Sequence, residues 1–221
     1  MCGRFTRSGP VQEVAKLFEL DEPPAELAPR YNIAPSQVVA VVGLKPDGKR
    51  RGLAMLKWGF VPSWSKDPNP KVKPINARAE TVLSKPLFRE AFEVKRCLIP
   101  ADGFYEWSKT TPRTPFYIKL RSGGLFAFAG LWDVWKGGGQ ALGTCCIITT
   151  AANSLVRPLH ERMPAIIEPE KYTAWLDTAT STEELMAMLR PMPAEQMEMV
   201  KVGTVVNSPR NDRPECLIPT A

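Results

Sequence analysis

Histidine is nearly absent from this chain: His160 is the only one in 221 residues. No stretch of about 18 uncharged apolar residues occurs, so no membrane-spanning helix is expected. The N-terminus has no apolar run of signal-peptide length. The chain is therefore read as cytoplasmic, nucleoid-associated in a bacterium or nuclear in a eukaryote. Internal repeats and low-complexity tracts are missing as well. The five cysteines, Cys2, Cys97, Cys145, Cys146 and Cys216, are odd in number and show no CxxC spacing. That pattern argues against a disulfide framework and against a zinc cluster. One histidine and scattered cysteines do not make a metal site, and no metal or cofactor is expected. Cys145 and Cys146, in "TCCIITT", and Cys97, in "RCLIP", read as buried free thiols behaving as small hydrophobes.

What is present is ordinary in amount and uneven in distribution. The hydrophobic fraction is 44% and the charged fraction 24%, as in globular proteins generally, and the length suffices to bury a core without staples. Net charge is +6, which suggests a polyanionic partner. Residues 161–200 hold eight acidic against three basic residues, a net of −5, leaving +11 for the rest of the chain. One positive face on a basic body, or a mildly basic surface throughout, both fit these totals.

Apolar spacing predicts a helix over 10–20, from Val11, Val14, Leu17 and Phe18. The proline-rich stretch 21–37 reads as an extended loop. "VVAVVG" (38–43) is a strand candidate, Asp47-Gly48 a hairpin turn, and "GLAMLKWGFV" the returning strand. Residues 62–82 read as a long loop, of the kind that is functional or disordered. A helix is expected over 84–96, with Ser84 as its cap. Five strand candidates follow: "RCLIPA", "GFYEWSK", "TPFYIKL", "LFAFAGLWDVW" and "LGTCCIITTAA". Two short helices come next, "EPEKYTAWL" and "TEELMAMLR", the second capped by Thr182, and the tail mixes a strand with loops. The whole reads as one α+β domain over 1–221, mostly antiparallel twisted sheet or open barrel flanked by short helices.

Four polar clusters interrupt this structural text. "MCGRF" places a cysteine directly after the start methionine. Loss of Met1 would put a free α-amine and a thiol on the same residue, Cys2, a reactive 1,2-aminothiol; the alternative is a chance cysteine on a frayed tail. "NARAE" brings Asn76, Arg78 and Glu80, where Asn76 is a turn residue or a site residue and the two charges can simply pair. "ADGFYEW" sets Glu106 between aromatics, with Tyr105 and Trp107 on the opposite face of a strand. A carboxylate in apolar surroundings has its pKa raised and holds a proton near neutrality; the other reading is a surface glutamate. "LHERMP" carries His160, structural or catalytic.

"MCGRF", "RYNIAP", "WGFVPSW", "INARAET", "ADGFYEW" and "HERMP", in that order, resemble the SOS response-associated peptidase (SRAP) family, strongly to about Pro164 and weakly to "VVNSPRND". The resemblance implies a protein that binds single-stranded DNA and attaches covalently to abasic sites. The Cys2 α-amine would meet the aldehyde of the ring-opened sugar, and the Cys2 thiol would then close a thiazolidine. The resemblance also implies that Asn76 positions Cys2, that Glu106 is the acid/base carboxylate and that His160 lies beside the sugar. Arg4, Arg78 and Arg162 match phosphate binders, and Thr149 matches a site threonine. Members of the family also cleave strands at abasic sites by β-elimination from the imine.

The chemistry of these residue types fits those roles. An α-amine with a pKa near 8 is appreciably neutral at physiological pH. A thiol near arginines should gain thiolate character. Trp58, Trp64 and Trp107 are available for stacking on bases; Trp58 and Trp107 are read as core, and Trp64, in the polar loop, as the DNA contact. Some relatives carry two adjacent aromatics where this chain has Trp64 followed by Ser65, so a second stacking surface is missing. The expected partner is single-stranded DNA containing abasic sites, bound by a monomer without a membrane. Two other functions remain open at this level: a thiol autopeptidase that removes Met1, and a non-covalent reader of modified bases.

Overall fold

A computed structural model describes residues 2–220. The elements run β1 (Phe5–Arg7), α1 (Val11–Leu17), β2 (Arg30–Ile33), β3 (Val38–Leu44), β4 (Arg51–Trp58), β5 (Asn76–Arg78), α2 (Pro86–Val94), β6 (Arg96–Ala101), β7 (Gly103–Trp107) and β8 (Pro115–Leu120). Then come β9 (Phe126–Gly137), β10 (Gln140–Ala151), β11 (Arg162–Pro164), β12 (Ile166–Ile167), α3 (Tyr172–Leu176), α4 (Thr182–Met188) and β13 (Met197–Lys201). Strands dominate, and the α+β class read from the sequence holds.

One sheet is antiparallel and five-stranded, in the order β13-β8-β7-β1-β2. In the other, β10, β4, β3, β6 and β9 follow one another and β9 pairs back onto β10, so the sheet closes into a small barrel. Its seam between β3 and β6 is thin, a single pair at Val42 and Leu98. Pairing is antiparallel except where β10 runs parallel to β4 and to β5.

Period-two alternation sorts the barrel side chains into two layers. Val41, Cys97, Ile99, Cys145 and Ile147 join Phe5, Ile33, Phe104 and Ile118 of the five-stranded sheet in one cluster. Val42, Leu98, Cys146 and Ile148 turn the other way, to Val14, Phe88, Phe92, Trp175 and Leu185 of the helices. Adjacent Cys145 and Cys146 thus belong to different layers, and all five cysteines are free and buried. Cys2 is fully buried in the layer between barrel and sheet, so it is no frayed tail.

Several local expectations need correction. The 21–37 segment contains β2, and β1 begins only three residues after Cys2. Helix α2 starts after Lys85 with Pro86 in its first turn; Ser84 instead donates to the Thr81 carbonyl. Helix α4 is capped by Ser181, whose hydroxyl accepts from the Glu184 N–H at 3.2 Å, leaving Thr182 as the first helical residue. A serine cap of this kind is worth about 1 kcal/mol. Among the described residues no helix is long and apolar enough to cross a membrane.

Candidate active site around Cys2

Two structural walls bring the polar clusters to Cys2. The first is the β1–β7 pair. Phe5 faces Phe104, and the Tyr105 N–H donates to the Arg4 carbonyl at 2.9 Å. Continued toward the N-terminus, that register lays Cys2 along the Glu106–Trp107 stretch. Alternation then separates the β7 side chains: Phe104 joins the layer that holds Cys2, while Tyr105 and Trp107 enter a third cluster with Val206 and Cys216. Glu106, on the Phe104 face, is only 7% exposed, and burial raises its pKa above the ordinary carboxylate value.

Burial likewise pushes the Cys2 thiol well up, and the nearby Glu106 charge pushes it further. This overturns the expected thiolate character. The reason is geometric: the Arg4 guanidinium turns away to the C-terminal segment. It donates to Asn32 Oδ1 at 2.7 Å and to the Val206 carbonyl at 2.9 Å, and lies 5.6 Å over the Trp107 ring. Asn32, fully buried, donates in turn to the carbonyls of Val206, Ser208 and Asn211. Trp107 Nε1 reaches Asn207 Oδ1 at 2.7 Å. Arg4 is thus a bolt between the two ends of the chain, with Nη1 serving both protein acceptors.

The second wall is the C-terminal half of β10 with β5 on one side and β11 on the other. Ile147 faces Asn76, Thr149 faces Arg78 on β5, and Ala151 faces Arg162 on β11. Asn76 crosses to the first wall: its Nδ2 donates to the Cys2 carbonyl at 3.0 Å. Its Oδ1 is buried and has no hydrogen-bond partner among the described residues. Leaving such an acceptor dry costs about 1–3 kcal/mol, so it marks a place where a donor belongs. Thr149 is fully buried, and its hydroxyl donates to the Ala77 carbonyl at 3.3 Å; the side chain belongs to the β5–β10 seam, not to an exposed surface.

His160 is half-buried just before β11. Its Nδ1 lies 2.9 Å from the Arg162 main-chain N–H and 3.2 Å from the Arg162 carbonyl; the N–H can only donate, and the shorter contact favours an accepting Nδ1 with the neutral ring's proton on Nε2. Burial lowers its pKa, and the charge of Lys109 adds to the effect, so the ring is neutral at pH 7. Arg162 is engaged as well. It forms a two-pronged pair with Glu80, Nη1 to Oε1 at 2.6 Å and Nη2 to Oε2 at 2.8 Å, and Nη2 also donates to the Thr149 carbonyl at 2.6 Å. Glu80 therefore pairs with Arg162 and not, as its spacing suggested, with Arg78. Arg78 is exposed and has no hydrogen-bond or ion-pair partner among the described residues. Trp58 is fully buried and Trp107 half-buried, as read; Trp64 is 59% exposed.

The structure thus brings Cys2, Asn76 and Glu106 together, with His160, Arg162 and Arg78 on the flanking strand ends. It adds three residues that the sequence did not single out for the site: Glu80, Asn32 and Lys109. Glu80 stood in "NARAE" and Asn32 in "RYNIAP", while Lys109 stood in no noticed motif. No group of three or more possible metal ligands occurs among the described residues.

The fold and the site define an α+β barrel protein organised around a buried cysteine at its second residue. The model of the SOS response associated peptidase (SRAP) family matches residues 1–209, and the chain belongs to that family. It is 44% identical to the Bacillus subtilis protein named abasic site processing protein YoqW, over 98% of this chain and 99% of that one. It is 37% identical to the Gallus gallus abasic site processing protein HMCES, over 86% of this chain and 66% of that one. A crystal structure of a Bacteroides thetaiotaomicron protein superposes with a TM-score of 0.89 at 26% identity, covering all of both chains.

Proposed function

We propose that this protein processes abasic sites in single-stranded DNA by forming a covalent DNA–protein crosslink through Cys2, with residues 1–221 acting as one SRAP-like domain and as a monomer. The reading requires removal of Met1, which lies outside the described residues. The freed α-amine attacks the aldehyde carbon of the ring-opened sugar, and water leaves to give an imine. The thiol then adds to the imine carbon: a C–S bond forms, the thiol proton passes to nitrogen, and a five-membered thiazolidine results. Because nucleophile and imine share one residue, this closure gains the large effective molarity of an intramolecular step.

The observation that carries the reading is the seat of Cys2. Its carbonyl is held by Asn76 Nδ2 at 3.0 Å, and the same amide leaves Oδ1 buried without a partner. That acceptor suits an amine hydrogen on the neighbouring residue and would aim the nitrogen lone pair at the aldehyde. Glu106, its pKa raised by burial, suits protonation of the departing hydroxyl. Neutral His160, with its proton on Nε2, is a donor for the sugar oxygen. Arg78 is the free cation for phosphate, and exposed Trp64 is a surface for a base. The names of the relatives support the substrate, and β-elimination from the same imine gives a route to strand cleavage. Burial raises the Cys2 thiol, so a thiolate-led peptidase gains no support from this geometry.

Intact-protein mass spectrometry before and after mixing with a single-stranded oligonucleotide carrying one abasic site tests the proposal. Loss of the Met1 mass and a heat-stable one-to-one adduct mapped to residue 2 are expected. Binding without a mass increment, or an adduct on another residue, overturns it.

A further inference from the structure

The loop between β4 and β5, residues 59–75, carries the exposed Trp64, and its first half is fixed to the barrel by hydrogen bonds. Alternate residues are bolted to the barrel. The Val61 N–H donates to Thr144 Oγ1 at 2.9 Å and the Thr144 hydroxyl returns a bond to the Val61 carbonyl at 3.2 Å. The Ser63 N–H donates to Asp133 Oδ2 at 2.7 Å. The Ser65 carbonyl accepts from Trp135 Nε1 at 2.7 Å. Thr144 and Asp133 face each other across the β9–β10 ladder, and Trp135 lies two residues beyond Asp133 on β9, on the same face. Between the last two bolts, the Ser65 N–H closes a turn onto the Pro62 carbonyl at 3.0 Å. Trp64 is at the corner of that turn.

Asp133 is the costly member of this set. Its side chain is 6% exposed, and a carboxylate so placed is tolerated only when paired and hydrogen-bonded. Lys95 Nζ provides the charge at 2.9 Å from Oδ1 and also reaches Ser63 Oγ at 3.4 Å, and the Val134 N–H adds a third donor at 2.8 Å. A buried carboxylate and a half-buried ammonium are thus arranged around one main-chain N–H of an exposed turn. Packing alone does not call for this: the turn's outermost side chain, Trp64, buries little against the protein. A large exposed aromatic carried on a fixed turn is instead what a stacking surface needs, since the main chain that bears it is ordered before a base arrives.

We infer that Asp133 is a positioning residue for DNA binding, holding the Pro62–Ser65 turn so that the Trp64 indole is a preformed platform for an unpaired base. The inference rests on the Trp64 part of the proposed function. It is independent of the chemistry at Cys2.

The test is a double-mutant cycle read by fluorescence anisotropy with a labelled single-stranded oligonucleotide lacking abasic sites. Loss of one stacked base by Trp64→Ala is expected to weaken binding about 10-fold. Asp133→Asn keeps the size but loses the charge, and is expected to weaken binding several-fold. In the Trp64→Ala background it should add nothing, because the platform is already gone. Trp135→Phe removes the third bolt while leaving Asp133 intact, and should show the same non-additivity even if Asp133→Asn does not fold. With abasic DNA the loss should fall on the half-saturating DNA concentration rather than on the saturated rate of adduct formation. Full additivity with Trp64→Ala, or unchanged binding by both bolt variants, overturns the inference. If Trp64→Ala itself leaves binding unchanged, the stacking role fails and the inference with it, whereas adduct formation at Cys2 reports separately on the main proposal.

Discussion

On the β1–β7 wall the cation is Arg4, whose Nη1 donates to Asn32 Oδ1 and to the Val206 carbonyl and whose guanidinium lies over the Trp107 face. On the β5–β10–β11 wall Arg162 is committed to Glu80 and the Thr149 carbonyl, but Arg78, at the end of β5, is exposed and unpaired among the described residues. The first wall anchors: it ties Cys2 to β7 and, through Asn32, to the segment 206–211. The second wall presents groups: an orphan amide oxygen, a neutral imidazole, one covered cation and one free cation. An arginine near a site binds phosphate only with the donors left after its protein partners are served, and the three arginines here differ in how many are already served.

Chemistry at the junction of the walls should show the largest effects. Cys2→Ala and Cys2→Ser should both abolish the heat-stable adduct on a denaturing gel while leaving affinity for abasic single-stranded DNA intact. An adduct surviving in either variant removes the thiol from the reaction and reduces the first wall to scaffold. Cys2 is small and its layer is formed mainly by larger side chains, so both variants should fold.

Next in size is Glu106→Gln, expected to slow adduct formation about 100-fold or more with little change in affinity. Its pH dependence sharpens the point. The α-amine must be neutral, so the rate rises with pH until its pKa, near 8, is passed. Glu106 must hold its proton, and burial raises its pKa; as pH climbs above that raised value the protonated fraction shrinks. In the normal protein these two requirements offset each other between the two pKa values, and the rate falls at higher pH. In Glu106→Gln only the α-amine is left to ionise, so the slower rate should rise and then level off. A variant that retains the alkaline fall shows that another group donates the proton.

How much of this could be read beforehand follows the same division between local and distant causes. Strands β6 to β10 announced themselves because each is a run of alternating or continuous apolar residues bounded by glycine or polar turns. β1 and β2 did not: they are three and four residues long, too short for a period to register. β2 moreover owes part of its shape to Asp212, which accepts the N–H groups of Tyr31 and Asn32 from 180 or more positions away. Barrel closure through β9–β10 is likewise invisible to local pattern. Motif likeness named Cys2, Asn76 and Glu106, which the fold places beside one another. It could not tell that Arg4 bonds Asn32 and the Val206 carbonyl or that the Thr149 hydroxyl bonds the Ala77 carbonyl, because type does not tell which partner a side chain already has. Thiolate character failed for the same reason, since desolvation depends on the layers above and below Cys2 rather than on its neighbours in sequence.

The smallest expected effects bear most directly on the contrast between the free and the covered cation. Each phosphate neutralised on single-stranded DNA contributes about 0.7 to the slope of log affinity against log salt. Arg78→Ala should therefore flatten that slope by about 0.7. Glu80→Gln should act in the opposite direction. Glu80 is held ionised below its ordinary pKa, chiefly by the hydrogen bond from Arg162, and its loss uncovers a guanidinium still anchored through Nη2 to the Thr149 carbonyl. The slope should then steepen by up to about 0.7 and the affinity at low salt should rise. A slope unchanged by Arg78→Ala removes phosphate contact from the open cation. A slope unchanged by Glu80→Gln means that the covered cation stays out of reach of the backbone even when released, and that Arg162 serves the site only through the main-chain N–H it gives to His160.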